Sequence, residues 1–373
     1  ILHDYFFITT MSKKLIIFSP SIEDGGVEKN LFLISNYLSS KIPNLSIITA
    51  DFYRKNNFSK KIKFITPRFR IFKNTKKYIK YLICIILLIR ETIKDKRFII
   101  LSFQANIYAI MVAKFFGITI LSRSNTSSEG WTKNRFKQLI FKYFFTKADE
   151  IIVNSYDFKK EIDKKYKINC KCILNPFNFK LIKKESLKKI PNKIFKKKSL
   201  KLISIGRLTD QKDHITLLKA IKLVVKKRLT ELIILGKGTN ESILKNYTLK
   251  NNLINNVKFL GYMSNPYQYI KSSDIFVLTS RFEGSPNVLV EAQYLKKYII
   301  SSNCPTGPKE ILANGLYGDL FNVGDFRKLA KLILSYKKNQ KIKKKINNAF
   351  KNTKKFEYKK NCEKYYMLIS KYL

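Results

Sequence analysis

A chain of 373 residues, 45% of them hydrophobic, has room for two domains and enough apolar side chain to bury a core in each, which excludes a disordered or fibrous protein. Lys and Arg number 74 against 26 Asp and Glu, a formal charge of +48, and a charge of that size draws polyanions: nucleic acid, anionic lipid or phosphate-bearing substrates. Five cysteines with no C-x-x-C pair, and only His3 and His214 as histidines, exclude a zinc site of familiar spacing and fit a reducing cytoplasm.

Short apolar runs alternate with helical patterns along most of the chain. Residues 1–10 precede Met11, whose continuation SKKLIIFSP reads as a natural start, and they lack the basic start and small-residue cleavage site of a signal peptide. LIIFS at 15–19 predicts a strand, followed by a helix with Val27, Leu31, Ile34 and Leu38 on one face. Further strands are predicted at 45–49, 63–65, 98–103, 118–122 and 150–155. A helix predicted over 76–93 holds the longest apolar stretch, Tyr81–Ile89, far short of the ~20 residues that cross a bilayer, so it reads as a core helix of the first domain. Arg68, Arg70, Lys73, Lys76, Lys77 and Lys80 around it are cations suited to an anionic leaflet. Residues 180–201 are lysine-rich, contain Pro191 and no apolar strand, and read as a surface linker. Strands resume at 200–206, 231–236, 257–261, 274–280 and 298–302, with a helix near 213–227. The lysine-rich stretch 337–360 reads as a solvated terminal helix.

Continuous apolar strands separated by helices and short loops mean parallel sheets covered on both faces. The expected class is α/β, with two Rossmann-like, doubly wound domains at 1–178 and 200–373, the second ending in a basic helix, and a basic linker at 179–199 between them.

Of 13 glycines, most follow residue 200, and most of those, Gly206, Gly236 and Gly284 among them, stand at the carboxyl end of a predicted strand. Ligands of open α/β sheets bind there, so the second domain is the expected seat of a nucleotide or phosphate. In the first domain Gly25 and Gly26 open the helix after the first strand, where backbone N–H groups face an anionic ligand, or simply make the turn. The densest cluster of chemistry is SRFEGSPNVLVEA at 280–292. Glu283 closes a strand and Glu291 follows within a helix, while Gly284, Ser285, Pro286 and Asn287 form the turn between them. Such a turn cradles phosphate while a carboxylate accepts hydrogen bonds from sugar hydroxyls. One carboxylate near a helix start is also an ordinary dipole partner.

This Glu-x7-Glu arrangement resembles the retaining glycosyltransferases of family 4, which have the GT-B fold, two Rossmann-like domains facing across a cleft. SIGRLTDQKDHITLLKAI at 204–221 resembles the family's GRL-x-x-QKD element, and LIILGKGTNES at 232–242 its second nucleotide-side turn. SSNCPTGPKEIL at 301–312 with GLYGDLF at 315–321 resembles an ending found in enzymes of bacterial surface glycans and N-glycan precursors. The first half matches through GGVEKNLFLISNYL. The resemblance implies that Arg207 and Lys212 bind the donor diphosphate and stabilise the leaving group, as two fixed cations can in place of a metal. It implies that Glu283 contacts hydroxyls of the transferred sugar. It further implies that Gly206 and the backbone of Gly284, Ser285, Pro286, Asn287, Val288 and Leu289 meet the phosphates, with Gly25 and Gly26 opposite, and that Glu291 holds the ribose. No metal and no resident cofactor is expected; the co-substrate is a nucleotide sugar, UDP-linked by analogy.

Two departures stand out. Where the family commonly has Gly-x-Pro after the second glutamate, this chain has Lys296 and Tyr298, a change expected to alter a turn and leave the chemistry alone. Many members carry a first-domain histidine; here His214 sits at a helix start, where a surface or capping role is expected, and the matching first-domain region offers Gln104, Asn106, Arg123 and Asn125 instead. A front-face mechanism needs no protein base, because the leaving phosphate oxygen takes the acceptor's proton. The implied acceptor is a polyprenyl-diphosphate-linked or lipopolysaccharide saccharide, met at the cytoplasmic face of the inner membrane. The competing readings are a sugar-nucleotide epimerase of the same fold, which needs acid/base residues of a kind scarce here, and a nucleic-acid-binding protein, against which the lysines are dispersed and no RNA-binding motif is present.

Overall fold

The computed structural model describes residues 13–23, 25–68, 75–125, 135–190, 194–195 and 198–373. Residues 1–10 and Met11, Arg70, Lys73, the 126–130 part of SRSNTSSEG, and Pro191 lie outside the described residues.

The first domain is a seven-stranded parallel sheet in the order β3-β2-β1-β4-β5-β6-β7. Its strands are β1 (Lys14–Phe18), β2 (Leu45–Ile48), β3 (Lys63–Ile65), β4 (Phe98–Ser102), β5 (Ile120–Ser124), β6 (Glu150–Val153) and β7 (Lys171–Cys172). Helices α1 (Gly26–Leu38), α2 (Lys77–Lys94), α3 (Asn106–Phe115), α4 (Arg135–Phe145) and α5 (Tyr156–Tyr166) cover its two faces. The second domain is a six-stranded sheet in the order β10-β9-β8-β11-β12-β13, made of β8 (Leu200–Ile205), β9 (Thr230–Leu235), β10 (Val257–Gly261), β11 (Ile275–Leu278), β12 (Tyr298–Ser302) and β13 (Asp319–Phe321). Between the sheets the chain forms α6 (Phe179–Ser186); α7 (His214–Val224), α8 (Glu241–Lys250), α9 (Tyr267–Ser272), α10 (Asn287–Tyr294), α11 (Pro308–Ile311), α12 (Phe326–Ser335), α13 (Gln340–Asn352) and α14 (Tyr358–Ile369) follow. The long apolar runs, such as FIILS in β4 and IFVL in β11, are buried at every position because helices cover both faces of each sheet. The class, the two doubly wound sheets and the C-terminal helix are as expected. The sequence shows no pattern for β7 and β13, edge strands of two and three residues, because runs so short carry no period.

Two local findings differ from expectation. The lysine-rich linker is helical over α6, which Asn178 caps by accepting from the Leu181 N–H at 3.1 Å, with Ile182 buried beneath. The terminal helix α14 does not stay with the second sheet: Cys362, Tyr365, Leu368 and Ile369 pack with Leu31, Ile34 and Leu38 of α1 in the first domain's core. The outgoing and returning strands of chain run side by side, with the Phe177 N–H donating to the Phe356 carbonyl at 2.9 Å. The boundary at 178 and 199 therefore has a second crossing beside it.

Strand order reverses between β1 and β4 in the first sheet and between β8 and β11 in the second. Loops leaving neighbouring strands at such a switch point diverge to opposite faces and open a crevice at the carboxyl ends. Gly25 and Gly26 follow β1, Arg207 and Lys212 follow β8, and Glu283 follows β11.

Candidate active site

The turn after β8 and the turn after β11 are fastened to each other. Gln211 donates through Nε2 to the Phe282 carbonyl at 3.0 Å and accepts the Arg281 N–H at 2.8 Å, and Thr279 Oγ1 donates to the Lys212 carbonyl at 2.9 Å. Lys212 crosses the end of β8 directly over Gly206, where a Cβ would meet its methylenes at 3.2–3.4 Å. Its Nζ reaches Glu283 Oε1 at 2.5 Å, and Ser280 Oγ donates to the same oxygen at 2.6 Å. Glu283 is buried, and this ammonium and hydroxyl offset the cost of burying its carboxylate. Arg207, one turn residue beyond Gly206, is exposed and has no acid partner among the described residues.

The Cys304–Gly307 turn supports Glu283 from behind. Thr306 Oγ1 donates to the Glu283 carbonyl at 2.5 Å. Gly307 has a φ of 82° and lies where any Cβ would come within 2.3 Å of the Gly284 carbonyl oxygen. The LIILGKG turn plays a similar part on the other side, since a Cβ on Gly236 would fall 1.9 Å from the Gly206 oxygen. These glycines serve close backbone packing that holds the two strand-end turns together.

Two helix N-termini meet across the cleft. Asn287, the first residue of α10, donates through Nδ2 to the Gly26 carbonyl at 3.0 Å, and a Cβ on Gly26 would meet that same nitrogen at 3.0 Å. Asn287 Oδ1 accepts from Asn175 Nδ2 at 2.7 Å. First-turn residues such as Asn287 and Val288 have N–H groups without an intrahelical acceptor, and both helix dipoles present their positive ends here. Leu289 differs from its neighbours: its N–H bonds the Pro286 carbonyl at 3.0 Å and its side chain lies in the core, so it cannot serve as a phosphate donor. Gly284 and Pro286 are buried, while Ser285 is partly open and its carbonyl accepts from Asn175 at 3.4 Å.

Glu291, 1% exposed, accepts at Oε1 from Lys29 Nζ at 2.9 Å and from Tyr267 OH at 3.3 Å. Its second oxygen, Oε2, is buried with no partner among the described residues. A buried carboxylate oxygen without a partner is an unsatisfied acceptor, which a hydroxyl donor would complete.

On the first-domain side, Arg123 is fully buried with no carboxylate partner among the described residues. Its guanidinium donates to Tyr365 OH at 2.8 Å, to Asn175 Oδ1 at 2.7 Å and to Asn125 Oδ1, and lies over the Phe103 ring. Asn106 Nδ2 donates to the Arg123 carbonyl at 2.8 Å, and Asn125 Nδ2 to the Phe103 carbonyl at 3.3 Å. Arg123 thus reaches Asn287 through Asn175 and tethers α14 through Tyr365. Gln104 is only partly buried; its Nε2 donates to Glu28 Oε1 at 3.2 Å. Burial pushes the Glu28 carboxyl up to about 6. His214 corrects the expectation of a surface position: it is buried at the start of α7, and burial, followed by the nearby Lys212, pushes it down to about 3, so the ring is neutral.

Sequence reasoning did not single out Lys29, Tyr267, Asn175, Glu28 or Thr306. Lys29 had a legible signal, standing three residues after Gly26 and so on the same helical face. Tyr267 and Asn175 had none, since only the tertiary fold brings them to the cleft.

Two parallel-sheet domains whose strand-end loops meet across a cleft make this a GT-B protein, the architecture of its structural neighbours. The structure of Anabaena HepE in complex with UDP-glucose superposes with a TM-score of 0.77 at 17% identity, over 96% of this chain and 100% of that one. The profile described as glycosyl transferases group 1 matches residues 186–355. An uncharacterised glycosyltransferase of Methanocaldococcus jannaschii is 31% identical over 304 residues, 70% of this chain and 75% of the relative. The N-acetylgalactosamine-N,N'-diacetylbacillosaminyl-diphospho-undecaprenol 4-alpha-N-acetylgalactosaminyltransferase of Campylobacter jejuni is 25% identical over 363 residues, 91% and 94% of the two chains. This chain belongs to the group 1 glycosyltransferases, and it is a transferase.

Proposed function

We propose that the chain moves an N-acetylhexosamine or hexose from a UDP-sugar to a polyprenyl-diphosphate-linked or lipopolysaccharide saccharide at the cytoplasmic face of the inner membrane, with retention of configuration, as a family 4 enzyme. The observation that carries this reading is the buried, unpartnered Oε2 of Glu291, together with two converging helix N-termini and the Lys212–Glu283 pair. The diphosphate lies between the α1 and α10 N-termini, whose dipoles and N–H groups favour an anion. Glu291 accepts from the ribose, and Glu283 from a hydroxyl of the transferred sugar. As the bond between the anomeric carbon and the phosphate oxygen breaks, negative charge builds on the diphosphate, and Arg207 and Lys212 stabilise it. The acceptor oxygen bonds the anomeric carbon from the same face, and its proton passes to the departing phosphate oxygen. Arg123 acts as a positioning residue, keeping Asn175 on Asn287. Residues 1–178 supply the acceptor side and 200–373 the donor side, apart from α14.

HepE, crystallised with UDP-glucose, and the Campylobacter enzyme, whose name specifies a diphospho-undecaprenol-linked acceptor, support the donor and acceptor classes. The test is saturation-transfer NMR of the purified chain with a UDP-sugar panel, with and without EDTA. One UDP-sugar binding in EDTA, and lost in Arg207→Ala, is the expected result; the anomeric coupling of the product then reports retention. Binding that collapses in EDTA overturns metal independence, and binding of no nucleotide sugar overturns the donor assignment.

A further inference from the structure

We propose that the outer surface of α2, α3 and α4 is a docking face for an anionic membrane leaflet. All three helices contribute to one core cluster on the same side of the first sheet, through Leu88, Ile110 and Phe144 among others, and α3 packs between the other two. Their opposite sides therefore share one outer layer. On α2, Cys84, Leu87, Leu88 and Thr92 are buried, while Leu82, Ile86 and Ile93 are 57–72% exposed and fall within an arc of about 40° at 100° per residue. The core-helix expectation for 76–93 is therefore half of the account, since the helix is apolar on both sides and the protein covers one. Met111 and Phe115 of α3, the latter 84% exposed, and Tyr143 of α4 extend the patch. Contiguous apolar side chains on this scale call for a partner.

Charge selects a leaflet over a protein. Lys80, expected among the leaflet cations, is not one of them: it is buried in an ion pair with Asp51 at 2.7 Å, and Lys77 pairs with Glu23 at 3.2 Å. Of the expected cations Lys76 does lie on the outside, joined by two that were not expected, Lys96 and Lys147. Lys76, Lys96 and Lys147 lie over the rings of Tyr78, Phe116 and Tyr143, at 6.0, 5.8 and 5.2 Å. The acids nearest in sequence, Glu91, Asp95 and Asp149, are each paired already with a cation of this domain. Apolar side chains with ring-stacked lysines at their margin match the acyl boundary and the headgroups above it. Among the described residues no helix is long and apolar enough to cross a membrane, so the face lies on the leaflet. The exposed side of α3 starts two residues after Asn106, at the strand end that opens into the cleft. The docking face gives the proposed lipid-linked acceptor a place to be met, and rests on that reading for its purpose; whether it binds lipid is decided without any sugar transfer.

The experiment is flotation of the full chain with vesicles of phosphatidylcholine alone and with about 30% phosphatidylglycerol. Wild type floats with the anionic vesicles and is released by high salt. The variant Leu82→Ser/Ile86→Ser/Phe115→Ser binds them at least about tenfold more weakly, while Leu229→Ser/Leu249→Ser/Ile254→Ser, exposed apolar side chains of the second domain, binds as wild type. Both variants keep UDP-sugar binding. Should the first variant fail to fold, Leu82→Trp in a Trp131→Phe background keeps the face apolar, and its fluorescence is quenched by brominated lipid, whereas Leu249→Trp is not. Equal flotation of all forms, or an unquenched Trp at 82, overturns the proposal. So does a wild-type dimer that the first variant splits without any change in flotation, which would make a second copy the occupant. Vesicle binding without any UDP-sugar binding would remove the transfer reading and leave the docking face standing.

Discussion

Lys29 and Glu291 stand 262 positions apart in the chain and 2.9 Å apart across the cleft. The ammonium belongs to the first helix of one domain and the carboxylate to the strand-end helix of the other, and Tyr267 bonds both. The pair engages Oε1 of Glu291, and Oε2 has no partner among the described residues. On the proposed reading, the contact that joins the two domains also orients the carboxylate of the donor site.

Removal of Lys29 leaves a buried carboxylate unpaired, which destabilises the closed arrangement. Lys29→Met is expected to weaken UDP-sugar binding by about tenfold, and Glu291→Gln by a similar factor, each near 1–2 kcal/mol. Because both act on one geometry, the double variant should be little worse than either single one. Calorimetric titration of the four proteins gives the cycle, and strictly additive losses would separate the pair from donor binding.

Lys212 and Glu283 make a second pair, this one inside the second domain. Their 2.5 Å contact places the cation beside the expected leaving group and fixes the carboxylate. Lys212→Ala and Glu283→Gln should each lower kcat by ~10²–10³, the range seen for loss of one preorganised electrostatic group. Donor binding should fall more for Lys212→Ala than for Glu283→Gln. Single-turnover rates against bound donor decide this, and a Glu283→Gln enzyme with unchanged kcat would remove that residue from the chemistry.

The strands, the switch points and the second-domain cluster were legible because each leaves a local trace: apolar runs in β1, β4, β8 and β11, glycines at their ends, and two glutamates flanking a Gly-Ser-Pro turn. Gly206 was legible as a strand-end glycine, while its reason, room for Lys212 to cross, emerges only from the fold. The return of α14 to the first sheet was hidden. Its buried side chains, Cys362, Tyr365, Leu368 and Ile369, are an ordinary amphipathic stripe that names no partner. Arg123 was named from the sequence, but its burial and partners were hidden for the same reason, since nothing in SRSN tells that its guanidinium is held by Asn175 and by Tyr365 from 242 positions away.

Glu28 gives the fold a pH dependence with a defined sign. Burial raises its carboxyl from 4.5 to about 6, with Glu23 adding to the effect and Lys77 opposing it. Well below pH 4.5 the group is protonated in both states and contributes nothing. As pH rises to about 6 the unfolded chain releases this proton first, so stability falls, by about 2 kcal/mol once the folded chain has released it too. Glu28→Gln removes that loss and should be more stable than wild type by about 1–2 kcal/mol at pH 8, and equal to it at about pH 3. Urea midpoints of both proteins at the two pH values measure the difference. A gain of the same size at both would mean that the amide simply packs better.

Lys296 is the residue where this chain departs from the Gly-x-Pro expected after the second glutamate, and the backbone shows what the departure does. The Lys297 N–H bonds the Ala292 carbonyl and the Lys296 N–H the Gln293 carbonyl, both at 3.0 Å, closing α10 in a Schellman motif. Its C′ position must be left-handed, and Lys296 sits there with a φ of 55°. A lysine in that region carries about 1 kcal/mol of strain that glycine avoids. Part of this is offset where the Lys296 ammonium lies 4.8 Å from the Phe350 ring centroid, an exposed cation–π contact of about 0.5 kcal/mol. Lys296→Gly should therefore stabilise the chain by roughly 0.5 kcal/mol, while Lys296→Val, β-branched and without the cation, should destabilise it by about 1 kcal/mol or more. Neither change reaches the cleft, so kcat should stay at the wild-type value in both. Paired denaturation and activity measurements would show a fault in this account if glycine proved the less stable residue, since the ring contact would then outweigh the strain of the turn.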